Sequence, residues 1–233
     1  MVVIVCPTYN ERDNVTALVP QIFNLKISDL RLFVVDDNSN DGTIHVLKEF
    51  QNTYPITLFE RKNPQGLGTA YRDAFASILK DFPRATHIIQ MDADLSHDPG
   101  DIPRFLEASE RYDLVLGSRY VRGGGVENWG MVRRLVSMIG CWYSRIVLRL
   151  PYRDLTGGFK CWKRSTLEAL PFDRLSSVGY NFQIETTFYT HKQGFQISEI
   201  PIIFHERTSG SSKFHTGIIL ESLVKVARLG LFG

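Results

Sequence analysis

The sequence predicts an α/β protein organised on a parallel sheet. Two observations carry that expectation. Short apolar runs rich in Val and Ile alternate, along the first half, with segments of helical periodicity. The polar motifs follow directly on those runs, and in open parallel sheets ligands gather at the carboxyl ends of strands.

Taken in order, Val2–Cys6, Leu30–Val35, Ile56–Phe59, Thr86–Met91 and Leu114–Leu116 read as strands. Helical patterns fall between them at Asn14–Phe23, Thr43–Phe50, Thr69–Leu79 and Ile102–Ser109. Arg119–Asn128 is Gly-rich and polar and reads as a loop. Met131–Leu150 is a long amphipathic helix carrying Arg133, Arg134, Arg145 and Arg149 among apolar residues, with Trp142 and Tyr143. Asp154–Trp162 reads as a turn and strand, Phe182–Lys192 as a helix and Phe195–Phe204 as a late strand. The segment from His205 to Gly233 holds a Ser/Gly stretch and then a second basic amphipathic helix, Ile218–Phe232. A division into a main domain over 1–210 and a membrane-proximal tail over 211–233 follows.

Bulk properties exclude several classes. The chain has 233 residues, 43% hydrophobic and 22% charged, the balance of a globular protein. A net charge of +2 is too small to imply nucleic-acid binding. Cys6, Cys141 and Cys161 are scattered and odd in number, which fits a reducing compartment rather than a disulfide framework. The opening MVVIVCPTYNE lacks a basic leader and reads as a first strand. No apolar run approaches the roughly 20 residues that span a bilayer.

The chemistry concentrates in HIIQMDADLSHDP. Asp92 and Asp94 are two residues apart after an apolar run, and positions i and i+2 of a strand share a face. Such a pair suits a small, hard cation already carrying phosphate oxygens. PTYNE at 7–11 and VVDDNSNDGT at 34–43 end two other runs; their carboxylates can accept hydrogen bonds from a nucleobase or ribose, and Asp41 is placed to cap a helix starting at Thr43. Gln65–Thr69 has the glycines of a phosphate loop but not its Lys-Ser/Thr ending, so Gly66 and Gly68 read as close-packing positions, with Lys62 left as a nucleotide contact. Trp129, Trp142 and Trp162 read as core or interface residues, with Trp142 and Tyr143 also suited to a headgroup region.

Together these motifs resemble the GT-A glycosyltransferases of the inverting family 2 type, closest to the polyprenol-phosphate mannose synthases. PTYNE, VVDDNSNDGT, RKNPQGLGTAYRDAF, MDADLSHDP, GSRY with its following GGG, WGMVRR, DLTGGFKCW, GYNFQIE and ERTSGSSKF match in order over about nine-tenths of the chain. The resemblance implies a GT-A fold, a mixed, mostly parallel central sheet flanked by helices, with the two basic helices interfacial. It implies that Pro7, Tyr9 and Glu11 line the nucleotide pocket, and that Val35 and Asp37 contact base or ribose. Asp92, Ala93 and Asp94 would hold ribose, sugar and metal; Asp94 and Ser96 would face Mg²⁺ or Mn²⁺, Ser96 directly or through a water. Arg119, Arg133 and Ser137 would receive the acceptor phosphate, with Arg134 an alternative to Arg133. Arg207 and Lys213 would close on the donor diphosphate.

The implied reaction moves mannose from GDP-mannose to dolichyl or polyprenyl phosphate with inversion; a UDP-glucose or UDP-N-acetylglucosamine donor is the alternative. A lipid phosphate needs no general base, being anionic at neutral pH with a second pKa near ~6. It needs arginines to position it. A hydroxyl acceptor would instead call for a carboxylate base, for which Asp154 and Glu185 are the candidates. The two basic amphipathic helices fit a peripheral enzyme on the cytoplasmic face of a membrane, either alone or with small membrane partner subunits.

Overall fold

The computed structural model describes residues 1–62, 66–179, 181–206 and 216–233, with residues 216–221 described by their backbone alone. Five strands appear where the apolar runs place them: β1 (Val2–Thr8), β2 (Leu30–Asp36), β3 (Ile56–Glu60), β4 (His87–Gln90) and β5 (Leu114–Ser118). Between them run α1 (Arg12–Asn24), α2 (Thr43–Phe50), α3 (Leu67–Asp81) and α4 (Ile102–Ser109), the last preceded by a single 3-10 turn, Pro99–Asp101. The second half adds β6 (Gly125–Val126), α5 (Met131–Leu148), β7 (Lys160–Lys163), α6 (Arg164–Glu168), α7 (Asn181–Lys192), β8 (Ile197–Pro201), β9 (Ile203–Phe204) and α8 (Thr216–Phe232).

The main sheet has seven strands in the order β3-β2-β1-β4-β7-β5-β8. Every pairing in it is parallel except those of β7, which runs antiparallel to β4 and β5. The sheet is therefore mixed, as the family resemblance implies and as the alternation of strands and helices alone does not. The expected single strand over 195–204 is two. Ile202 donates its N–H to the Ser118 carbonyl, and the chain then leaves the main sheet to pair β9 with β6. That small ribbon brings order to the Gly-rich segment read as a loop.

Strands with apolar residues at every position fit a sheet covered on both faces. Val3, Val5, Phe33 and Val35 pack on one side with Tyr71, Phe75, Trp162 and Phe182. Ile4, Cys6, Leu32 and Val34 pack on the other with Val15, Leu18, Phe105 and Phe159. Helix α8 rests on α5 and α7 and buries Val226 in the first of these layers. The expected boundary at 210/211 lies outside the described residues.

The Gly66–Gly68 turn packs as its composition suggests. A Cβ at Gly68 would stand 2.3 Å from the Ser177 carbonyl oxygen, and the Gly68 N–H donates to Val178 O at 2.7 Å. Gly66 adopts φ +102°, a conformation favouring glycine.

Candidate active site

The turns after β1 and β2 are tied to each other. Buried Asp36 accepts from Thr8 Oγ1 at 2.7 Å, and from the Ser39 N–H at 2.8 Å and hydroxyl at 2.7 Å. Asn10 donates its N–H to Ser39 Oγ, and its side chain accepts from the Asn40 N–H. Asp41 accepts from the N–H of Thr43 and from that of Arg12, so one carboxylate serves the starts of α2 and α1. Pro7, Tyr9 and Glu11 are thus held beside the turn carrying Asp37, and Tyr9 is exposed. Asp37 pairs with buried Arg61 at 2.6 Å, and Arg61 also reaches Asp73 and Thr69. Val35 points its side chain into the core, which leaves only its backbone to meet a ligand. Asp36 and Arg61, the residues that hold this region, fall inside VVDDNSNDGT and RKNPQGLGTAYRDAF, but neither motif discloses the partners they take.

The D-x-D turn leaves β4 beside β1. The Asp92 N–H donates to His97 Nδ1 at 3.0 Å, and His97 stacks on Phe159. Asp94 Oδ1 accepts from the Ser96 N–H at 3.1 Å and hydroxyl at 2.5 Å. Asp94, Ser96 and His97 are buried, as is Ala93. Burial raises the pKa of Cys6 and of Tyr71, and the charges of Asp92 and Asp94 raise both further. The Tyr71 hydroxyl donates to Asp92 Oδ1 at 3.3 Å. An all-oxygen set of this kind fits a hard divalent cation. Among the described residues no group of three or more His, Cys, Asp and Glu side chains forms a metal cage. One or two carboxylates completed by substrate phosphates is, however, the usual holding of Mg²⁺.

Across a cleft of about 190 Å³, Asp92 shares the lining with Arg119, Arg133, Ser137 and Trp129. The same cleft is walled by Val136, Tyr143, Ile184, Leu223 and Val226 from α5, α7 and α8. Arg133 lines it and Arg134 does not, being exposed elsewhere on α5, so the structure separates two arginines that the sequence leaves equivalent. Ser137 accepts from the Tyr120 hydroxyl at 2.7 Å.

Arg119 is the most constrained of these groups. Its Nε and Nη2 donate to the two carboxylate oxygens of Asp154, each at 2.7 Å, and Nη2 also donates to Thr156 Oγ1. Burial works to raise the Asp154 carboxyl, but the Arg119 charge and hydrogen bonds outweigh it and hold the pKa below its ordinary value. The guanidinium lies over Tyr120, Trp129 and Phe204, 5.2–5.5 Å from the ring centroids. Asp154 is thus the anchor of Arg119 rather than a base. Glu185 is committed as well, accepting from the Ser176 and Ser177 N–H groups. The glycines of DLTGGF let this loop approach: a Cβ at Gly157 would stand 3.0 Å from Gly117 O, and Gly158 lies against Asp92 and His97. Arg133 pairs with Glu206 at 3.0 Å, both partly exposed. Arg207 and Lys213 lie outside the described residues.

Residues 3–170 match the family described as Glycosyl transferase family 2. The chain is 38% identical over 232 residues to an undecaprenyl-phosphate mannosyltransferase of Micrococcus luteus, covering 99% of this chain and 94% of that one. It is 36% identical over 233 residues to a polyprenol monophosphomannose synthase of Mycolicibacterium smegmatis, covering 99% and 87%. Among solved structures, glucosyl-3-phosphoglycerate synthase from Mycobacterium tuberculosis, in complex with Mn²⁺, uridine diphosphate and glucosyl-3-phosphoglycerate, superposes with a TM-score of 0.69 at 18% identity, over 99% of this chain and 78% of that one. The fold is therefore that of the GT-A glycosyltransferases, and the chain belongs to glycosyl transferase family 2.

Proposed function

We propose that the protein transfers mannose from GDP-mannose to dolichyl or polyprenyl phosphate with inversion, at the cytoplasmic face of a membrane. The observation that carries this reading is the composition of the cleft. Arginines and a serine are gathered with a long apolar wall in one space, the complement of a phosphate on a hydrocarbon chain. The two mannosyltransferases at 36–38% identity support the sugar and the lipid class.

In this reading Pro7, Tyr9, Glu11, Val35 and Asp37 receive the nucleoside, with Val35 contributing backbone alone. Asp92, Asp94 and Ser96 would hold Mg²⁺ or Mn²⁺, which when bound supplies Lewis-acid neutralisation of the leaving diphosphate. Arg207 and Lys213 are assigned to the same diphosphate on sequence grounds. Arg119, Arg133 and Ser137 orient the acceptor phosphate. The acceptor is ionised already, so no carboxylate need take its proton; this agrees with Asp154 and Glu185 being fully engaged. Arg119 is kept rigid by Asp154 and so presents its remaining N–H groups without side-chain reorganisation.

No described helix is long and apolar enough to cross a membrane. Attachment is proposed through α5, whose outward face is apolar, either alone or with small partner subunits. The test offers purified protein GDP-mannose, UDP-glucose and UDP-N-acetylglucosamine, each radiolabelled, with polyprenyl phosphate and a divalent cation. Mannosyl lipid is the expected product; label in lipid only from a UDP-sugar, or none at all, rejects the assignment.

A further inference from the structure

Trp129 stands between the two arginines of the cleft. Arg133 lies 4.1 Å and Arg119 5.4 Å from its ring centroid. Its ring also meets Phe204 edge-on at 5.3 Å. The indole Nε1–H is buried and has no acceptor among the described residues. A buried donor without a partner is destabilising, and an indole N–H is a donor only. A group left in that state, on the lining of the cleft, is complete only when something brings it an oxygen.

We propose that Trp129 is a further acceptor-binding residue: its N–H donates to a non-bridging oxygen of the acceptor's phosphate, between the guanidinium groups of Arg119 and Arg133. This rests on the phosphate-acceptor reading given above. It follows from charge as well as from the orphaned donor. Arg119 is matched by Asp154 and Arg133 by Glu206, so the free site offers an incoming dianion little uncompensated positive charge. A neutral donor adds binding that no carboxylate in the cleft competes for. Arg133 stacks on the face of the Trp129 ring and is held there by an ion pair that is only partly buried.

The experiment compares wild type with Trp129→Phe, which keeps an aromatic face for the arginines, and with benzothienylalanine at position 129, which keeps the bicyclic ring and replaces only the N–H by sulfur. Steady-state kinetics are measured with GDP-mannose and polyprenyl phosphate, and binding of a short prenyl phosphate is measured by calorimetry without donor. Both variants are expected to raise the acceptor KM and Kd by about tenfold or more, the weight of one hydrogen bond to a charged group. The donor KM stays at the wild-type value, and the melting temperature of the benzothienylalanine protein does not fall, because the variant loses a donor that the free protein leaves unpaired. Acceptor constants within about twofold of wild type in the benzothienylalanine protein overturn the proposal, as does a change confined to donor KM or kcat. Loss of prenyl phosphate binding only in the variants, with no mannosyl lipid from wild type, leaves the N–H contact standing and overturns the proposed reaction. Normal turnover in all three proteins does the reverse, and a wild type that binds no prenyl phosphate overturns both.

Discussion

Arg119 and Asp154 illustrate how a functional charge is kept in a dry site. Both are buried, joined by two hydrogen bonds in a fork, with the Arg119 backbone N–H adding a third to the carboxylate. Removing one partner of such a pair strands the other, so Asp154→Asn should lower stability by about 3–5 kcal/mol, read as a fall in urea midpoint. The pH dependence follows from the lowered pKa. The unfolded carboxyl titrates near ~3.9, so the stabilisation is fully present above that pH and is lost as pH falls through the lower folded value. Asp154→Asn should flatten that acid limb, and an unchanged limb would assign it to other carboxylates. Arg133 is the contrasting case. Its partner Glu206 is partly exposed, and such pairs contribute about 0.2–1 kcal/mol. Glu206→Gln should therefore lower the acceptor KM by roughly 1.5- to 5-fold, because the phosphate no longer displaces a carboxylate. A higher KM would mean that Glu206 positions Arg133 instead of competing for it.

Elements differ in how much of them the sequence discloses. The first five strands and four helices follow from their apolar patterns, because four of those strands are buried along nearly their whole length, the edge strand β3 buries its first residue, and each helix is covered on one face. The antiparallel insertion of β7 does not, since an apolar strand looks the same in either direction. Nor does the β6–β9 ribbon, whose two-residue strands lie below the length at which alternation carries information. In the site, the acidic D-x-D segment and Asp41 ahead of α2 are legible as motifs but not in geometry: β4 ends at Gln90, so Asp92 and Asp94 lie in the turn after it rather than on one strand face, and Asp41 stands one residue before the N-cap, Gly42. Arg61, Asp154 as partner of Arg119, and Trp129 become legible only when distant segments meet. Lys160 belongs to the same class. It projects from β7 into the first turns of α7, donating to Gln183 O at 2.7 Å and to the hydroxyls of Thr186 and Thr187. Burial pushes its pKa down to about 7, against an opposing pull from Asp154. Unfolded lysine holds its proton to ~10.4, so between about 7 and ~10.4 the unfolded chain binds the extra proton and stability rises with pH. Lys160→Met should remove that rise, seen as a smaller gain in urea midpoint between about pH 7.5 and about pH 9.5 than wild type shows.

At the scale of the whole molecule, the unusual feature is α5. One side packs on the protein through Cys141, Ser144 and Leu148. The outward side carries Met131, Val132, Leu135, Met138, Ile139, Trp142 and Ile146, with Met131 88% and Trp142 61% exposed. A contiguous apolar face of this kind marks an interaction surface, and the exposed basic residues Arg134 on the helix and Arg149 just past its end suit anionic headgroups. Helix α8, packed beside α5, exposes Leu231 and Phe232 as well. Residues of both helices line the cleft, so on the proposed reading a surface that seats α5 at the headgroup level would also bring the acceptor phosphate near Arg133. The consequence separates docking from chemistry. Leu135 and Ile139 are exposed, so Leu135→Glu with Ile139→Glu leaves the fold intact. Each apolar side chain buried in the interface contributes about 1.5–3 kcal/mol, so the double variant should lose binding to vesicles containing anionic lipid by on the order of a hundredfold or more. Transfer to polyprenyl phosphate embedded in those vesicles should fall with it, while transfer to a short, water-soluble prenyl phosphate continues near the wild-type rate. Equal sedimentation of both proteins with vesicles would remove α5 from the membrane contact, and an accompanying change in oligomeric state would assign its apolar face to a second protein chain.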